Sequence, residues 1–78
     1  MSMNLALKTP EGEIIDFPFQ TPTNFSKQVI AEPNDLKKIL LIKTFLEEIE
    51  LIEYDVLAIV SELRLKLHTG YKIVMMWI

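Results

Sequence analysis

The densest group of side chains able to hold a cation is Glu47, Glu48, Glu50, Glu53 and Asp55, with no base among them. A two-metal carboxylate site on helices needs acids that project inward together, usually with a Glu-x-x-His pair. On a helix, Glu48 and Glu53 fall on different sides from Glu47 and Glu50, and the single histidine, His68, does not stand at that spacing. The pattern therefore predicts no metal site. It reads instead as a solvated acidic face, with Glu47, Glu48 and Glu50 a candidate docking surface for a protein partner.

Histidine is the one side-chain type here that exchanges protons near neutral pH, which makes His68 the only evident candidate for general acid-base work. No nucleophile, oxyanion motif or orienting acid stands near it in sequence, and Ser2, Ser26 and Ser61 lie in no nucleophile context. With Gly12 and Gly70 the only glycines, there is no phosphate-cradling loop. No catalytic and no cofactor-binding residue is assigned, no cofactor or small-molecule substrate is inferred, and the expectation is a protein that is not an enzyme. His68, beside Thr69 and Gly70, is expected to sit at an exposed helix end.

Arg64, Lys66, His68 and Lys72 form a small basic cluster with Tyr71 and Trp77 nearby, the combination that stacks on and neutralises single-stranded nucleic acid. The net charge of −3 and an isoelectric point near 5.0 argue against that use. Lys37, Lys38 and Lys43 are the other cations that such a role would recruit.

These groups are carried by a chain of 78 residues, half of them apolar, with a mean hydropathy of +0.26 and no cysteine. That length predicts one domain, near the size at which a single core is marginal and association supplies the remainder. The lack of cysteine excludes a disulfide scaffold and thiolate metal sites, and fits the cytoplasm. The start MSMNLALK lacks the basic and long apolar segments of a signal peptide, and no apolar run approaches the roughly 20 residues of a membrane span.

Asn4 to Phe19 predicts a β-hairpin: Leu5 and Leu7 alternate on one arm and Ile15, Phe17 and Phe19 on the other, with the turn at Thr9-Pro10-Glu11-Gly12. Pro18 cannot donate to a ladder, so the second arm is expected at a sheet edge and the first is expected to pair onward with the C-terminal strand. Between Pro22 and Pro33, Phe25 and Val29 stand four apart and suit a short helix capped by Thr23.

Asn34 to Thr69 holds no Gly or Pro and keeps a helical apolar period, with Asn34 or Asp35 as N-cap. One continuous rod from 35 to 68 would run about 50 Å, against roughly 20 to 27 Å for strands of six to eight residues. It would also turn Glu53 into the apolar stripe. A break near Glu53 to Asp55 is therefore expected, with Asp55 capping a second helix that ends at Gly70 in the left-handed conformation. A second hairpin over Leu63 to Ile78 is the competing pattern, since Leu63, Leu65 and Leu67 alternate.

Tyr71 to Ile78 (YKIVMMWI) predicts a strand that is apolar on both faces. Tyr71, Ile73, Met75 and Trp77 are expected to face the helices, leaving Val74, Met76 and Ile78 on the opposite side. Either Phe25, Val29 and Ile30 fold over that second side or another chain does. The fold expected is α+β: an N-terminal hairpin and a C-terminal strand in a three-stranded sheet packed against two helices, or one long helix. The function expected is a non-catalytic interaction or regulatory protein acting as a homo-oligomer, a dimer, through apolar strand and helix surfaces, with Val74, Met76, Ile78 and Trp77 as candidate interface residues. A nucleic-acid-binding regulator is the second reading.

Overall fold

A computed structural model describes residues 2–78 and orders the chain as β1 (Met3–Lys8), β2 (Ile14–Asp16), α1 (Thr23–Ala31), α2 (Asp35–Glu48), α3 (Glu53–His68) and β3 (Lys72–Trp77). The strands form one antiparallel sheet in the order β2-β1-β3, so the first arm of the hairpin is central and pairs onward with the C-terminal strand. The class is α+β. The helices number three rather than two, because the short helix between Pro22 and Pro33 forms as well.

The hairpin closes through a turn in which Gly12 N–H donates to the Thr9 carbonyl at 2.9 Å. Gly12 takes φ 93°, a conformation that costs a side-chain-bearing residue and costs glycine nothing. Leu5, Leu7, Phe17 and Ile73 then share the face that joins the core, together with half-buried Ile15 and Met75. A row of aromatic rings extends that core: Phe17 meets Phe19 edge-on at 5.2 Å, and Phe45 stacks on Phe19 at 6.0 Å and on Phe25 at 4.4 Å.

Helix α1 starts at Thr23, but the hydroxyl of Thr23 does not cap it. That oxygen accepts the Met3 amide of β1 at 3.2 Å, and Thr21 Oγ1 accepts the Leu5 amide at 2.9 Å. The two threonines thus take the place of a strand along β1 where β2 has already ended. The consequence for packing is direct. Residues 21–23 are tied to the β2-side edge of β1, and Val29, Phe25 and Ile30 pack into the same cluster as Leu5, Leu7 and Ile73. They do not fold over the opposite face, so that expectation is corrected.

Asn34 caps α2 by accepting the Lys37 amide at 3.1 Å. The helix then stops four residues before α3 begins, by a Schellman motif. Glu50 N–H donates to Glu47 O at 3.1 Å and Leu51 N–H to Leu46 O at 3.3 Å, with Glu50 at φ 61°. The break therefore falls at Ile49 to Ile52, ahead of the expected position. Ile52, not Asp55, occupies the N-cap of α3, and no side chain caps it. Glu53 and Asp55 lie instead in the first turn, where carboxylates meet the positive end of the helix dipole.

Helix α3 ends in a second Schellman motif, Gly70 N–H to Leu67 O and Tyr71 N–H to Lys66 O, with Gly70 at φ 99°. The chain turns straight into β3, so the alternative hairpin over Leu63 to Ile78 does not form. α1 lies across β1 and β3, α2 packs on α1 and α3, and α3 reaches β3. Ile42, Leu46, Val56 and Leu63 carry the helices into the core. No helix is long and apolar enough to cross a membrane among the described residues.

Candidate interaction surfaces

The acidic residues do not converge. Glu47 and Glu48 end α2, Glu50 occupies the left-handed position and Glu53 starts α3, all exposed. Among the described residues, no three His, Asp or Glu side chains approach closely enough to hold a metal ion. Glu47, Glu48 and Glu50 crowd the negative end of the α2 dipole, which has no basic residue in its last turn. They form an exposed acidic patch at one end of the helical layer, held there by no ion pair among the described residues.

His68 is the last residue of α3 and exposed, as expected. It lines a shallow cleft with Asp35, Leu36, Ile39, Arg64 and Leu65, and makes no hydrogen bond or ion pair with Asp35. Ser26 is committed elsewhere. Its hydroxyl donates to Pro22 O at 3.0 Å, so in the 2.6 Å contact between Thr21 Oγ1 and Ser26 Oγ the threonine is the donor. The result is an ordered chain from the Leu5 amide through Thr21 and Ser26 to Pro22, which is architectural.

Two of the candidate basic groups are also committed. Lys38 is buried, and its Nζ donates to Val29 O at 2.7 Å and to Ile30 O at 3.4 Å. It closes off carbonyls at the C-terminal end of α1, a place where a cation also meets the dipole favourably. Lys66 pairs with Glu62 at 3.1 Å and lies 5.7 Å from the centre of the Tyr71 ring. Lys37, Arg64 and Lys72 stay exposed, on different elements.

The apolar surfaces are more coherent. On β3, alternation places Val74 and Met76 on the side away from the helices, both half-buried, with Ile78 exposed beyond the strand end. Their cross-strand partners are Ala6 for Val74 and Asn4 for Met76. Ile14 and Asp16 of β2 share this face, opposite Lys8 and Ala6. No helix covers it. Trp77 shares the parity of Ile73 and Met75, yet lies past the helical cover and is 60% exposed.

A second surface lies on α3: apolar helix surfaces were expected from the sequence, but not these residues. Tyr54, Leu57, Ala58, Ser61 and Leu65 recur at spacings of three and four and are all exposed. At about 100° per residue they form one uncharged outer stripe, opposite the buried Val56 and Leu63. Leu36 and Leu40 of α2 are exposed as well. The signal was present in the sequence: α3 carries apolar residues on both sides, and a helix apolar all round is normally covered all round.

No family model matches this chain, and comparison with curated proteins and with solved structures finds no match.

Proposed function

We propose that this chain is a non-catalytic interaction protein of the cytoplasm that works as a homo-oligomer, a dimer in its simplest form, through strand β3. The outer side of α2 and α3 is its second contact surface. The observation that carries this reading is the distribution of apolar groups. Among the described residues, eleven large apolar side chains are exposed, as many as the eleven apolar side chains that are buried.

Scattered exposed leucines are ordinary on a soluble protein. Here they collect on particular elements: Trp77 and Ile78 at the end of β3, Leu36 and Leu40 on α2, and Tyr54, Leu57 and Leu65 on α3. Contiguous exposed apolar surface marks contact sites, and Leu36 of α2 and Leu65 of α3 line one cleft. A domain of 78 residues also has little core of its own to spare.

Absolute mass by light scattering over a wide concentration range tests the reading, with Met76→Asp as the comparison. The wild type is expected at twice 9.1 kDa, and the substituted chain at 9.1 kDa with its helix content intact. A wild type that stays at 9.1 kDa at every concentration overturns self-association.

A further inference from the structure

The two edges of the sheet are treated differently. On the β2 side, the edge strand has only three residues, stops at Asp16 ahead of Pro18, and hands over to the Thr21 and Thr23 hydroxyls that take the Leu5 and Met3 amides. Shortness, proline and covering groups are the ordinary means of blunting an edge. The β3 side has none of them. Its six residues, KIVMMW, include one charge, no proline and no residue with positive φ.

The hydrogen-bond parity of β3 follows from its neighbours. Ser2 and Ile78 exchange both backbone bonds, at 3.3 and 2.9 Å, and the amides of Met3 and Leu5 point away from β3. Bonded pairs alternate along an antiparallel ladder, so Lys72, Val74 and Met76 bond inward to β1. The N–H and C=O groups of Ile73, Met75 and Trp77 then face outward, and they find no backbone or side-chain partner among the described residues. The Tyr71 amide is already used, on Lys66 O at 3.0 Å.

We infer that β3 pairs antiparallel with β3 of a second copy of this chain, with Met75 on the two-fold axis, joining two sheets into one. The inference rests on the self-association proposed above and specifies its geometry. A two-fold strand pair bonds only through outward-facing residues. Centring it on Met75 sets Met75 against the partner's Met75 and Ile73 against the partner's Trp77. These are all three free positions and no others, giving about six new backbone hydrogen bonds. Centring it on Val74 instead would draw on the Tyr71 amide, which is committed.

The side chains agree with this register. Val74 comes opposite the partner's Met76 in a non-bonded pair, the arrangement with the closest side chains, and joins the two apolar stripes of the open faces. The exposed Trp77 ring comes beside the partner's Ile73, an aromatic and β-branched pair of the kind that stabilises neighbouring strands. Lys72 faces the partner's Ile78. The two Lys72 side chains stand about 20 Å apart along the strand direction, so no like charges oppose each other.

The absence of cysteine makes the register directly readable by crosslinking. The variant carrying both Val74→Cys and Met76→Cys is expected to form an interchain disulfide between positions 74 and 76 under mild oxidation. Either single variant, which offers only a diagonal approach, should crosslink at least tenfold more slowly. As a second measurement that changes no side chain, a synthetic chain N-methylated at Met75 should keep its helix content and dissociate at least tenfold more readily. A stable dimer that gives no 74 to 76 disulfide, or that tolerates the N-methyl group, overturns the β3 pairing while leaving self-association standing. A monomer at every concentration overturns both.

Discussion

Glu50 and Gly70 occupy the same position in two copies of one helix-ending motif, each the left-handed residue after the C-cap, at φ 61° and φ 99°. Glycine holds that conformation without strain, whereas a residue with a Cβ gives up about 1 to 2 kcal/mol there. Glu50→Gly is therefore expected to raise the unfolding free energy by up to about 1 kcal/mol, part of the relief being offset by the freer unfolded chain. Gly70→Ala is expected to lower it by at least about 1 kcal/mol. The new Cβ would also come within 3.4 Å of Pro10 Cγ. Urea denaturation of both variants checks the pair of signs.

Lys38 holds together two helices that are not otherwise bonded, through its 2.7 Å bond to the Val29 carbonyl. Lys38→Met keeps the stem and removes the charged donor, leaving the Val29 carbonyl with only the Glu32 amide at 3.2 Å and taking from the Ile30 carbonyl the donor at 3.4 Å. A loss of about 1.5 to 3 kcal/mol is expected, with α1 amides exchanging faster than those of α3. Amide hydrogen exchange read alongside a urea titration measures both.

Thr21→Val preserves shape and deletes the hydroxyl that accepts from Leu5 at 2.9 Å and donates to Ser26 at 2.6 Å. The buried Leu5 amide is left unpaired, which costs about 1 to 3 kcal/mol. Exchange of that single amide is expected to accelerate more than that of Ala6, whose bonds face β3. Equal protection of the two would show that segment 21–23 does not seal the β1 edge.

Leu65→Glu tests the outer side of α3. Leu65 is 63% exposed, so the substitution is expected to change monomer stability by no more than about 0.5 kcal/mol. Binding of an apolar fluorescent dye should fall and solubility should rise. Unchanged dye binding would remove α3 from the contact surfaces.

The parts legible in sequence were those governed by short-range rules. Alternation placed Leu5, Leu7, Ile73 and Met75 on the core side and Val74 and Met76 opposite. The turn ending at Gly12, the Asn34 cap and the Gly70 helix end each depend on a few neighbouring residues whose conformational preferences are intrinsic. The candidate interface on β3 was visible in the same way, as a doubly apolar run.

Tertiary structure decided the rest, because the deciding contacts join residues far apart in the chain. The Leu5 amide meets Thr21 across sixteen positions and Lys38 meets Val29 across nine, and no periodicity reports either. The break at Glu50 lacks the glycine that would announce it. The strain is carried by burial of Leu46 on one side and Val56 on the other, which requires the two helices to fold back. Likewise, alternation showed that β3 has two apolar faces. Only the strand order β2-β1-β3, with α1 held to the helical side by its threonines, left one of those faces open and made β3 a free edge.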